Sequence, residues 1–425
     1  MGDSLRKDKH NLTKRAIGAL DKWRPDRLKN TSSAPFQVVD FFCGAGGMSA
    51  GFAAMSQIKR SFHLIGGCDI DEKALQTYSQ NFNTAGIKED IRELASNEEK
   101  FDSFVRKLNN YDPNKPLIVI GCAPCQGFSS HRKRSWSKKD NRNTLISAFA
   151  NVAIRLKPVC IVMENVPEML SKKYWDYFQT ARNAFENEGY TVHQSIYNVA
   201  SFGVPQERFR SLVIAMRKDF VLPEPILSSD SFASVRDAIG HLPALMPGET
   251  DPRDSMHRST NHRLSTIETI RAIPKDGGSR PIGIGPKCLD KIKGFYDVYG
   301  RLYWDRPSIT ITHYARNPAS GRFVHPEQDR GLTMREAAQL QGFPLGFKFS
   351  GSVDAIFKQI GEAVPPKFSC AVAANVFLEL NSEPPTESER LSAMPSLTTP
   401  VNSSYSSVIA GLKQKRNRNN NVQLY

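Results

Sequence analysis

The chain has no apolar run of the roughly 18 residues that a membrane-spanning helix needs, and its start, MGDSLRKDKH, has no apolar signal region. Both absences argue against membrane insertion and secretion. Cysteine is scarce: seven residues, an odd and scattered set, cannot make the framework of a disulfide-bonded secreted protein, and they read as free thiols in a reducing compartment. Cys122 and Cys125 form one CxxC, but no second CxxC or HxxxH supplies further zinc ligands, and no metal is expected. Internal repeats and the dinucleotide fingerprint G-x-G-x-x-G are missing too.

What is present is ordinary in amount and uneven in placement. With 425 residues, 40% hydrophobic and 24% charged, the chain can bury one large or two medium cores. Acids are outnumbered, leaving a net charge of +14. Residues 1–33 carry +5, residues 131–142 another +5, and residues 411–420 the remaining +4, so the rest of the chain is neutral on balance. Such clusters point to a polyanionic partner, although a solvated terminus explains either end equally well. The internal cluster directly follows Cys125.

Apolar stretches near 37–41, 63–68, 117–120 and 159–163 read as short buried strands, alternating with helical patterns over 47–55, 71–82, 98–108 and 145–156. That alternation predicts an α/β fold with a doubly wound, mostly parallel sheet. Segments 190–199 and 211–216 are strand-like again. From 217 to about 305 the chain is rich in Pro, Gly, His, Arg and Ser, too long for an unstructured loop and better read as a small inserted domain. Helical pattern returns in LTMREAAQLQGF and PPKFSCAVAANVFLEL. The expected organisation is a basic leader over 1–35 outside the core, a first catalytic part over 36–216, an insert over 217–305, a completing part over 306–380, and a disordered polar tail over 381–425.

Four motifs fall at the ends of these strands. Asp40, Phe42, Gly44, Gly46 and Gly47 form a strand and glycine-rich turn that lets backbone approach a ligand, and Asp69 after the second strand is placed for ribose hydroxyls; a structural turn uses glycine equally well. Cys125, just past a strand's carboxyl end, suits a nucleophile or a small packing residue. Glu164, in MENVP, is either a partly buried acid able to donate a proton or a helix cap. Arg208 and Arg210, alternating in QERFR, can face one site and bind an anion or carbonyl oxygen, or form a polar strand edge.

Together DFFCGAGG, APCQGFSS, MENVP, QERFR, RGLTMREAAQLQGFP and GEAVPP resemble, in order, the motifs of the DNA cytosine-5 methyltransferase family, across roughly 36–216 and 306–380. The resemblance implies S-adenosylmethionine as cofactor and double-stranded DNA as substrate. By similarity, Cys125 attacks carbon 6 of a flipped-out cytosine, Glu164 holds or protonates ring nitrogen 3, Arg208 binds the base's carbonyl oxygen, and Arg210 supports the acid. Phe42, Gly44 and Gly46 would pack around the cofactor, Asp69 hold its ribose and Asp90 its adenine amino group. Ile70, Ile91, Pro124 and Leu145 would line the pocket. The segment 129–142 would close over DNA, with Ser129, Ser130 and Arg142 among its contacts. The insert would be the target-recognition domain.

One position departs from the family pattern: Gly361, Glu362, Ala363, Val364 stands where Gly-Asn-Ala/Ser-Val is usual. Glu362 could still accept from the cofactor's ammonium. The resemblance further implies a monomeric enzyme of the bacterial cytoplasm and of the restriction-modification type, paired with an endonuclease that acts on the same site without a stable complex. A tRNA cytosine-5 methyltransferase, a catalytically silent DNA-binding regulator and a nicotinamide dehydrogenase are the competing readings. The size of the insert favours duplex DNA over tRNA, and the complete Cys125, Glu164 and Arg208 set favours catalysis.

Overall fold

A computed structural model describes residues 8–124, 144–290 and 297–401. Its seven strands are β1 (Phe36–Phe41), β2 (Phe62–Asp69), β3 (Gly86–Lys88), β4 (Leu117–Gly121), β5 (Cys160–Asn165), β6 (Thr191–Asn198) and β7 (Phe209–Met216). They form one sheet in the order β3-β2-β1-β4-β5-β7-β6. β1 to β5 run parallel, and β7 is antiparallel to both β5 and β6. The sheet is therefore mostly parallel, as expected. Each of β1, β4 and β5 is buried along its whole length, the property that lets a continuous apolar run such as LIVIG serve as a central strand. Side chains still alternate between faces: Val38, Ile118, Ile120, Val162 and Leu212 enter one core, while Val39, Val119, Ile161, Met163 and Val213 enter the other.

Thirteen α-helices are described: α1 (Lys9–Asp21), α2 (Gly47–Ile58), α3 (Glu72–Asn81), α4 (Ile91–Ser96), α5 (Glu98–Lys107), α6 (Thr144–Arg155), α7 (Trp175–Asn187), α8 (Val235–Ile239), α9 (Leu264–Arg271), α10 (Met334–Leu340), α11 (Val353–Glu362), α12 (Pro366–Asn381) and α13 (Glu387–Ser392). Phe52 of α2 and Phe368 of α12 enter the first core; Phe104, Phe149 and Phe178 of α5, α6 and α7 enter the second. The small residues of α2 let α12 lie against its backbone. A Cβ at Gly51 would fall 2.3 Å from the carbonyl carbon of Ser369, so helix contact there requires glycine.

Two sequence expectations are corrected at the termini. The leader does not stand outside the core: Leu12, Ala16 and Leu20 line one face of α1 and, with Trp23, are buried in the first core, while Lys14 and Arg15 face solvent. The described part of the tail, to residue 401, packs against the sheet. The Leu397 N–H donates to the Gln194 carbonyl at 2.8 Å, covering the outer edge of β6 there, and the Val401 N–H donates to the carbonyl of Leu170, in the turn after β5, at 2.9 Å. The basic cluster of residues 411–420 lies outside the described residues.

The 217–305 stretch is only partly separate. Phe220, Leu222, Val235, Ile239 and Met256 join the first core, while Ile270, Ile273, Val298, Tyr299 and Val324 make a small core of their own. This small third core is held by polar contacts. The buried Arg301 guanidinium donates to the carbonyls of Ile270, Ile273, His325 and Gln328 and to the Asp329 carboxylate. That explains how a stretch with little apolar periodicity stays compact.

Candidate active site

The carboxyl ends of the parallel strands converge with the start of β7, the edge where open α/β sheets bind ligands. β1 leads into a turn with left-handed backbone at Phe42 (φ 55°), Gly44 (φ 50°) and Gly46 (φ 91°). Such a conformation costs a non-glycine residue free energy, and it marks Phe42 as a residue held by its surroundings. The Gly44 N–H donates to Asp69 Oδ2 at 2.8 Å, and the Asp71 N–H to Oδ1 at 2.9 Å. Burial pushes the Asp69 carboxyl above its usual range against these bonds. A Cβ at Gly44 would meet nothing within 4 Å among the described residues, so the turn borders space open to them on that side. Beside it Ile70 is 65% exposed, an unusual state for a large aliphatic side chain next to a buried acid.

The remaining expected cofactor residues lie along the same edge. Asp90 caps α4, accepting from the Arg92 N–H at 2.9 Å and pairing with its guanidinium, so part of the carboxylate is engaged locally. Ile91 and Leu145 are buried in the second core rather than open to a cleft. Pro124 is exposed after β4, and Glu362 is exposed at the end of α11.

Glu164 lies within β5, which continues through Asn165 instead of turning at Glu164 as the sequence suggested. Glu164 pairs in register with Leu212, so Arg210, two residues earlier on β7, sits diagonally across on the same face. Its Nε is 2.9 Å from Glu164 Oε1. Burial pushes the Glu164 carboxyl upward, while Arg210 and Arg208 pull it down. The neighbouring Cys122 thiol is also raised, by burial and by the Glu164 charge, which suits packing rather than nucleophilic chemistry.

Arg208, expected as the base-binding arginine, lies between two crossing segments. It is buried, and its guanidinium donates to the carbonyls of Ile311 (2.8 Å), Gly361 (2.9 Å) and Ala363 (3.3 Å). Gln206 receives the Ile311 N–H at 2.8 Å and donates to the Leu340 carbonyl and the Gln341 side chain, and Gln341 donates to Ala363 O at 2.7 Å. The physical reason is topological. The segment after the insert and the end of α11 both pass beside the start of β7, and Arg208 ties them down. Because these bonds reach backbone on both sides of Glu362, they do not depend on the side chain at 362.

Asn165 and Asp40, inside the MENVP and DFFCGAGG motifs, make contacts that motif spacing alone does not reveal. Asn165 Nδ2 donates to the Ala123 carbonyl at 3.1 Å, joining the end of β5 to the turn that precedes Cys125. Asp40 is fully buried under the glycine-rich turn, accepts from Ser49 Oγ at 2.7 Å, and its Oδ1 has no hydrogen-bond partner among the described residues. Ser49 in turn lies 3.0 Å from the Tyr78 hydroxyl. Burial raises the Asp40 carboxyl to about 7. An acid inside an apolar strand was the available signal. Cys125, Ser129, Ser130 and Arg142 lie outside the described residues.

Residues 36–377 match the family model of the C-5 cytosine-specific DNA methylases. The type II methylase M.HgiDII of Herpetosiphon aurantiacus is 34% identical over 358 residues, which cover 80% of this chain and 96% of the relative. The type II methyltransferase M1.HphI of Haemophilus parahaemolyticus is 35% identical over 349 residues, 81% of this chain and 87% of the relative. The fold is shared with a prophage-encoded Escherichia coli protein described as a DNA modification methyltransferase, with a TM-score of 0.62 at 24% identity, covering 82% of this chain and all of that one. The chain belongs to the C-5 cytosine-specific DNA methylase family.

Proposed function

We propose that this DNA (cytosine-5)-methyltransferase takes its methyl group from S-adenosylmethionine and acts through a covalent adduct of Cys125 with a flipped-out cytosine in duplex DNA. The observation that carries the reading is the convergence on one sheet edge of the Gly44 turn, Asp69 and the Glu164–Arg210 pair, with Cys125 directly after Pro124. The turn fits the cofactor. Open space beside Gly44, an acid at Asp69 and the uncovered face of Ile70 offer a nucleoside a backbone cradle, a ribose acceptor and an apolar surface. When bound, S-adenosylmethionine supplies an electrophilic methyl group.

The chain's own residues account for the rest. The Cys125 thiolate adds to carbon 6 and places electron density on carbon 5. Glu164, which burial shifts toward its protonated form, is the proton donor to ring nitrogen 3 as negative charge develops there. Arg210 fixes that carboxyl, and Arg208 holds the two crossing segments around the site. After methylation, a water takes the proton from carbon 5, ring nitrogen 3 returns its proton to Glu164, and the Cys125 bond breaks, regenerating the thiolate. The base reaches these groups only outside the helical stack. Phosphate contacts fall to the basic segment 129–142 that contains Ser129, Ser130 and Arg142.

The type II names of the relatives support a restriction-modification setting, and the proposal extends to a separate endonuclease reading the same site and to a monomeric methyltransferase in the bacterial cytoplasm. No described helix is long and apolar enough to cross a membrane. Incubating duplex DNA with labelled S-adenosylmethionine tests the reading. Label should enter DNA, and Cys125→Ala should abolish its incorporation. Label on no duplex would sink the proposal, and so would label that survives the substitution.

A further inference from the structure

The segment before residue 36 lies outside the matched family span, yet it is packed into the first core at one point of the cofactor edge. Trp23 is buried there, with its ring edge-on to Phe82 at 5.6 Å between centroids and tilted against Phe347 at 6.0 Å. The backbones meet as well. A Cβ at Gly346 would fall 2.0 Å from the Trp23 carbonyl oxygen, so residues 23 and 346 can lie together only because 346 is glycine.

Phe82 passes the contact on. It closes the C-terminal end of α3, and next to it Asn81 exchanges two hydrogen bonds with the Lys348 backbone, at 2.6 and 3.0 Å. Its ring occupies the space where a side chain of Gly46 would be, because a Cβ there would come 2.2 Å from Phe82 Cε2. Gly46 stands at φ 91° in the turn that carries Gly44, and it caps α2. Trp23, Phe82 and Gly46 therefore form a continuous packed line from the N-terminal segment to the glycine-rich turn. Close-packed interiors transmit a lost side chain to their neighbours instead of absorbing it.

We propose that Trp23 is a positioning residue for the cofactor site: through Phe82 it holds Gly46, and with it the turn that receives the nucleoside. The inference rests on the reading that this turn binds S-adenosylmethionine. In its absence Phe82 can rotate into the space vacated by the indole, and the turn loses its support from below. The effect falls on cofactor affinity and spares DNA affinity, because no contact in the line involves Glu164, Arg210 or the 217–305 stretch.

The test uses the full chain and measures binding of S-adenosylhomocysteine by calorimetry, alongside DNA affinity and the KM and kcat of methyl transfer. Trp23→Ala should weaken S-adenosylhomocysteine binding about 5- to 10-fold and raise the cofactor KM in step, with kcat and DNA affinity within about twofold. Trp23→Phe, which keeps an aromatic ring against Phe82, should recover most of the loss. Leu12→Ala destabilises the same segment without touching Phe82, and at a temperature where it is folded it should bind S-adenosylhomocysteine like the parent. Equal binding by Trp23→Ala and the parent overturns the inference. So does a loss that Leu12→Ala shares in proportion to its stability. A parent chain that fails to bind S-adenosylhomocysteine would instead overturn the cofactor reading.

Discussion

Arg210 and Glu164 meet across the antiparallel pair of β7 and β5, Nε 2.9 Å from Oε1, on the same sheet face and both largely buried. The arginine steadies a carboxyl that burial drives toward its neutral form. Burial thus shifts the acid toward its protonated form while a fixed cation orients it. Glu164→Gln keeps the shape and removes the transferable proton. Its kcat for methyl transfer should fall by about 10²- to 10⁴-fold, with DNA affinity nearly unchanged. A variant with parental kcat would remove Glu164 from the proton chemistry.

The two arginines should separate by readout. Arg208→Lys cannot span three carbonyls with one ammonium, so it should lower stability by about 2–4 kcal/mol in urea titration. Arg210→Lys leaves those bonds intact and should act mainly on kcat. The reverse pattern would return Arg208 to the base-contacting role.

Asp40 makes stability depend on pH. Its carboxyl is raised from 3.8 to about 7, so between those values the folded chain binds more protons than the unfolded one. Its contribution is full below pH 3.8 and is lost as pH rises toward 7. Asp40→Asn removes this dependence. The stability difference between the two proteins should move in favour of the variant by on the order of 4 kcal/mol from pH 4 to pH 8. A difference independent of pH would contradict the buried, protonated assignment.

Glu336 behaves oppositely. Paired bidentately with buried Arg330, at 2.7 and 2.9 Å, it is held down to about 2. The stability it contributes is present above pH 4.5 and is lost as pH falls toward 2. At pH 7, Glu336→Gln should cost about 3–5 kcal/mol, since it leaves the Arg330 charge buried without its partner.

The sheet and the chemical edge were legible because each rests on local signals. LIVIG, with its β-branched run, reads as a buried strand, and the glycines of DFFCGAGG read as a turn. Other features depended on distant partners. α1 reads as a polar leader until Leu12, Ala16 and Leu20 find α2 and α12, and the Ser- and Pro-rich tail until Leu397 finds Gln194. Arg208 illustrates the limit within the site. Alternation placed both arginines on one face, but only the return of residue 311 and the end of α11 decided which carbonyls the first would bind. Asp40 was visible as an acid in a strand, yet its role came from Ser49 and Tyr78 on two helices.

Bisulfite sequencing of DNA from cells expressing the chain tests the central claim most directly. Cytosines protected at one defined sequence, with protection lost in Cys125→Ala, are the predicted result. Absence of protected cytosines, or protection that persists without the Cys125 thiol, would contradict it.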